Sequence, residues 1–114
     1  MVMANRSSFD QRKKAQSLWR SGVELILGNQ IQEAAALLRE AVLLDPHLAA
    51  AHHDLGVLME SLGNPHEALA CYHAALTADS EYLEAQRSLA ALALHLDLAR
   101  ASRHTEALSY RPAA

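Results

Sequence analysis

Apolar positions recur along most of this chain at the three-and-four spacing of a helix with one buried side. The pattern is clearest from Asp45 onward. Leu55, Leu58, Met59 and Leu62 mark one helical stripe, Gly63 can supply a left-handed stop, and Ala68, Tyr72, Ala75 and Leu76 mark the next stripe. Asp45-Pro46 predicts a helix start with Asp45 as N-cap, because proline lacks only a donor that would be unpaired there anyway. Asn64-Pro65-His66-Glu67 predicts a second start, with Asn64 as cap and Glu67 closing a capping box. Upstream, Ser8 with Gln11 and Asn29 with Gln32 predict a matching pair of starts. The reading is two helical hairpins in succession.

Sliding the chain by 34 residues superposes Ala15 on Ala49, Gly22 on Gly56, Val23 on Val57, Glu33 on Glu67, Ala34 on Ala68, Ala36 on Ala70, Ala41 on Ala75 and Asp45 on Asp79. Chance would give about two or three identities over that span at ordinary residue frequencies. Leu25/Met59, Leu38/Tyr72 and Val42/Leu76 fall in the same register. The small residues Gly22, Gly56, Ala34 and Ala68 stand where the two helices of a hairpin would cross, and there a small side chain lets the axes come close.

The string Leu55-Gly56, Gly63, Glu67-Ala68-Leu69, Tyr72, Ala75-Leu76, Asp79 resembles a full tetratricopeptide (TPR) repeat, and Gly22, Glu33-Ala34, Leu38, Ala41 and Asp45-Pro46 resemble a second. A third copy starts at Leu83, with Ala85, Leu89, Ala90 and Leu92 in register, and then departs from the pattern: no glycine occurs near Asp97, and Ser102 stands where a small alanine is expected. The resemblance implies an all-α fold of five to six helices, with antiparallel helix-turn-helix repeats stacked in a right-handed superhelix. The expected organisation is one domain over 9–109, with repeats at about 15–48 and 49–82 and a partial one at 83–109, between a flexible N-terminus 1–8 and a flexible tail 110–114.

The family's concave face, lined by the first helix of each unit, implies a partner-binding groove. Its positions fall here on Trp19, Arg20, Val23, Ile26 and Leu27 in the first unit, His53, Asp54, Val57 and Glu60 in the second, and Glu84 and Arg87 in the third. An apolar patch around Trp19, Val23 and Val57 lies beside an acidic strip of Asp54, Glu60 and Glu84, which suits an amphipathic helix or extended segment with apolar anchors and some Lys or Arg. The family's carboxylate clamp, which grips acidic chaperone tails, would place its basic and amide groups at Trp19, Val23, Asp54, Glu84 and Ser88. None of these can neutralise a carboxylate, so that specialised function is rejected.

Charge sharpens this picture. Residues 1–20 hold five basic side chains against Asp10, a net +4; residues 21–86 hold ten acidic side chains against Arg39, a net -9; the remainder carries +2. An acidic middle repels nucleic acid and anionic lipid, so neither is an expected ligand. With aromatics at only 4% of the chain, the core must be built from Ala and Leu. The lone Cys71 excludes an internal disulfide framework, and no apolar run approaches the roughly 20 residues needed to cross a bilayer, so a cytoplasmic protein is expected. Seven histidines raise a metal hypothesis, but His52 and His53 point about 100° apart on a helix, and His66 and His73 lie about 10 Å apart. No metal, cofactor or catalysis is expected, since no nucleophile-base pair, phosphate loop or ligand cluster is legible.

The third unit carries an anomaly. Leu89, Leu92 and Leu96 cluster on one side of its helix, whereas Leu83, Leu94 and Leu98 cluster on nearly the opposite side. The second face needs a cover: a sixth helix capped by Asp97 and running over 98–109, a second copy packing on Leu83, Leu94 and Leu98 of a straight helix, or a partner protein. The function expected is a non-catalytic adaptor or scaffold that binds a protein partner. The alternatives are a secretion-type chaperone holding an export substrate and an accessory module of a larger enzyme such as a glycosyltransferase. For the predicted crossing, Ala68→Leu should overpack the hairpin and destabilise it by roughly 1–3 kcal/mol; an unchanged melting temperature would remove Ala68 from that position.

Overall fold

The structure, a computed structural model, describes residues 2–109, with side chains described over 8–104. It contains five helices: α1 (Val2–Leu27), α2 (Ile31–Leu44), α3 (Ala49–Ser61), α4 (Pro65–Ala78) and α5 (Leu83–Ser109). The pairs α1/α2 and α3/α4 form antiparallel hairpins, α2 packs on α3, and α4 packs on α5. The molecule is elongated, 77 × 30 × 21 Å, because α1 and α5 each outrun the 14-residue helices beside them. All-α hairpin stacking is therefore the fold, with five helices.

Each hairpin is closed by one large side chain seated on a glycine. A Cβ added to Gly22 would lie 3.0 Å from Leu38 Cδ2, and one added to Gly56 would lie 2.5 Å from Tyr72 Cε1. Leu38 and Tyr72 are buried register mates, and Ala34 and Ala68, one turn away, have no exposed surface. The core continues through Leu55, Leu58 and Met59 to Leu92 on α5. A smaller cluster of Ala49, Ala75 and Ala85 joins the second unit to the third.

The turns repeat as closely as the core. Asn29 (φ +61°) and Gly63 (φ +79°), 34 positions apart, both adopt the left-handed conformation after a helix. Asn29 N–H donates to Ile26 O and Gln30 N–H to Leu25 O, and Gly63 N–H to Glu60 O and Asn64 N–H to Met59 O do the same one unit later. This double bond pattern satisfies carbonyls left open at the helix end. Gly63 thus stops its helix as expected. Asn29 does not cap α2; Gln30 holds that place, without a side-chain bond.

Several other expected starts are corrected. Asp45 ends α2 instead of opening α3: its carboxylate accepts the His47 N–H at 3.0 Å, and α3 begins at Ala49 after Leu48. Asp79 repeats the device, accepting the Glu81 N–H at 3.0 Å. A side chain committed to the turn two residues on has no lone pair aimed at the next helix. Asn64 sits at the α4 N-cap but makes no capping bond, and Glu67 reaches across to Arg39 Nη2 at 3.2 Å instead of closing a box. That exposed pair is worth little, about 0–1 kcal/mol.

Both long helices also differ from expectation. Helix α1 starts at Val2, so Ser8 lies inside it and caps nothing, and 2–8 belongs to the helix rather than to a flexible arm. No proline or glycine interrupts 2–21, and the side chain of a lone serine is a weak helix stop. For the same reason α5 runs without a break past Asp97, and the sixth-helix alternative falls. The expected tail 110–114 lies outside the described residues.

The two glycines predict different responses to a methyl group. Replacing helical Gly by Ala gains about 0.5–1 kcal/mol in propensity. Gly22→Ala meets only the movable end of Leu38, so its unfolding free energy should stay within about 1 kcal/mol of the original, whereas Gly56→Ala drives into the Tyr72 ring and should lose about 1–3 kcal/mol. Urea denaturation of the pair measures the difference.

Candidate functional site

The first helices of the units, α1, α3 and α5, share one face, and hydrogen bonds cross it. The Trp19 Nε1–H donates to Asp54 Oδ2 at 2.8 Å. The other oxygen, Asp54 Oδ1, lies 3.3 Å from His53 Nδ1, and His53 Nε2 lies 3.0 Å from Ser88 Oγ. Trp19 and His53 are register mates, and each reaches the residue 35 positions further on, in the next unit's first helix. The His53 ring is held between Tyr72 and Tyr82, at centroid distances of 5.6 and 5.8 Å. Tyr72 Oη–H donates to Glu60 Oε1 at 2.5 Å. Burial, followed by that carboxylate, raises the Tyr72 pKa and keeps the hydroxyl a donor. Burial, followed by Glu84, Asp54 and Asp79, raises that of Tyr82.

These ties revise the expected groove. Asp54 and His53 are half-buried and bonded to one another and to neighbouring helices, so they brace the face more than they offer themselves to a ligand. Glu60 is exposed but already accepts from Tyr72. Ile26 packs on the core, and Leu27 stands 84% exposed at the end of α1. Trp19 packs on the core with its N–H satisfied, and it lines a depression of about 290 Å³ with Arg20, Val23 and Glu24. Val57 is exposed on α3, and Glu84 and Arg87 are exposed on α5. Glu24 is a wall residue that the sequence reading missed, although its place beside Val23 and one turn from Arg20 could have suggested it.

Ser88, His53 and Asp54 follow the order of a nucleophile, base and orienting acid. Acyl transfer also needs donors preset for the oxyanion, usually worth the largest share of the barrier. Ser88 is the sixth residue of α5, past the first four N–H groups that a helix leaves open, so its backbone donor is committed to the helix. The chain of bonds ties three helices together. Cys71 is a poor nucleophile: burial, then Glu67, raises its thiol pKa, with Arg39 opposing. Among the described residues, no three His, Cys, Asp or Glu side chains gather as metal ligands, and no helix is long and apolar enough to cross a membrane.

This arrangement of hairpins can be set beside solved structures. One MamA structure superposes with a TM-score of 0.70 at 21% identity, covering 75% of this chain and 50% of that one. The fold is TPR-like. A second MamA structure gives 0.65 at 17% identity, covering 92% and 62%. This chain thus spans only about half to three-fifths of the MamA chains. The first TPR of Spaghetti (RPAP3), bound to the HSP90 peptide SRMEEVD, gives 0.53 at 17% identity, covering 75% of this chain and 95% of that one. At such identities the likeness speaks for the fold alone. No protein-family model matches the sequence, and no curated protein matches it.

The Trp19–Asp54 bond joins two units and can be weighed by substitution. Asp54→Ala strips the indole N–H of its acceptor and should cost about 1–2 kcal/mol, while Asp54→Asn keeps an acceptor and should cost less than half of that. Urea unfolding followed by emission of Trp19, the single tryptophan, ranks the two.

Proposed function

We propose that this chain is a non-catalytic protein-interaction module that binds a helical or extended, partly basic segment of a partner across α1, α3 and α5. One observation carries the reading: the depression walled by Trp19, Arg20, Val23 and Glu24 on α1 lies beside α3, to which Trp19 is bonded through Asp54 and which presents exposed Val57, and the three helices together carry the carboxylates of Glu24, Asp54, Glu60 and Glu84. Apolar anchors fit the first part, and Lys or Arg fits the second.

The hydrogen bonds across the face support a preformed site. Trp19, Asp54, His53 and Ser88 hold the three helices before any ligand arrives, which lowers the ordering cost of binding. The RPAP3 domain is seen with SRMEEVD, a peptide ending in acidic residues. Here Arg20 and Arg87 face a majority of carboxylates, so the preference is for the opposite charge.

Titration followed by Trp19 emission should show a short amphipathic Leu/Lys peptide binding in the micromolar range, weakening as salt rises. Val57→Glu should weaken it by about tenfold, equivalent to about 1.4 kcal/mol. A Leu/Glu peptide or SRMEEVD binding as well as the basic peptide would overturn the reading.

A further inference from the structure

Helix α5 is two-faced. Leu89, Leu92 and Leu96 pack against the core of the second unit. Leu94 and Leu98 point elsewhere, 60% and 61% exposed. With Ala91 and Ala101, both also exposed, they recur at steps of three, four and three, the spacing of a coiled-coil seam. Pro65, where α4 begins, lies beside His95 and Leu96, so α5 leaves the body of the protein at that level. The 13 residues from Asp97 to Ser109 extend about 20 Å further.

We propose that this seam is a self-docking surface: α5 of a second copy lies along it in the antiparallel sense, about a twofold axis near residues 99 and 100. The seam continues, further along α5, the helix face that carries Glu84 and Arg87, but self-association along it does not require the groove to bind a ligand.

Two features select this occupant and this direction. In an antiparallel seam each flank meets its own copy. With Leu98 opposite the partner's Ala101, Asp97 falls opposite the partner's His104, and symmetry makes the pair twice. Asp97 and His104 lie seven residues apart on one flank, both exposed. An imidazole can donate to a carboxylate in either protonation state. The second feature is the bodies themselves. Each carries a net -4 over residues 1–96, the +4 of residues 1–20 and Arg87 offsetting part of the -9 of residues 21–86. Antiparallel helices hold those bodies at opposite ends of the seam, whereas parallel helices would set them side by side and repelling. Leu83 lies too far from the axis to be covered, so it drops out of the surface expected from the sequence.

The area is modest. In this register the central layers are Leu98 against the partner's Ala101, made twice, with Leu94 opposite the partner's position 105; that area is well below the roughly 800 Å² per partner of a standard interface, so the dimer is weak and concentration-dependent. Sedimentation equilibrium of the full chain from about 5 to about 500 μM should show monomer passing to dimer with a midpoint in the tens of micromolar. Leu98→Lys should move that midpoint upward by tenfold or more, with helix content unchanged by circular dichroism because Leu98 is exposed. Asp97→Lys should weaken the dimer by about tenfold, and adding His104→Glu should restore it.

Direction is read separately, with spin labels in a Cys71→Ser background. A label at Gln86 should sit about 40 Å from its mate in the antiparallel dimer and about 10 Å in a parallel one, while a label at Ser102 should sit close to its mate. A monomer throughout the concentration range, a dimer indifferent to Leu98→Lys, no rescue by His104→Glu, or a short Gln86 separation would each overturn the proposal.

Discussion

The close approach of two helices in each hairpin is the constraint on which the rest depends. It is set by a glycine on the first helix and a large side chain on the second: Gly22 beneath Leu38, Gly56 beneath Tyr72. Because the axes are that close, Ala34 and Ala68 are buried completely, and short side chains fill a core that holds few aromatic rings. Packing at native density tolerates little change at such contacts. The two hairpins then present similar outer faces, and stacking them aligns α1, α3 and α5. The face they share is a by-product of that alignment.

The same geometry decides what the face can do. With first helices side by side, position 19 of one meets position 54 of the next, and position 53 meets position 88. Two polar ties at the same interval make a braced surface, in which Asp54 and His53 serve the scaffold while Val57 stays exposed. Glu60 is similarly committed to Tyr72, whose ring also closes the hairpin. Core and groove therefore share residues, and a change at Tyr72 would be felt in both.

At the far end the array has no following hairpin among the described residues, and α5 shows its outer side. Repeat proteins bury each unit's face against the next, and a polar capping helix normally closes the stack. Here Leu94 and Leu98 occupy that outer side instead. This exposed apolar stripe of a projecting helix is what the self-docking proposal rests on.

Short-range pattern was legible in the chain and long-range partnering was not. The helical stripes, the 34-residue repeat, the small residues at the crossings and the left-handed stop at Gly63 all follow from spacing and backbone preference, which act over a few residues, so the all-α hairpin stack could be read directly. The caps could not. Asp45, Asn64 and Glu67 are chemically able to cap, but Asp45 was taken by the His47 N–H and Glu67 by Arg39, and Asn64 stands at its N-cap without a capping bond. The candidate site was legible as a set of positions on the first helices but not in its bonding: Asp54, assigned to an open acidic strip, was taken by Trp19 and His53. Which donor a carboxylate meets depends on distances between helices, and only the packed structure sets those distances. The course of α5 past Asp97 shows the same division. The absence of a helix breaker was written in the sequence, while the level at which α5 leaves the body followed from where α4 begins, at Pro65 beside His95 and Leu96.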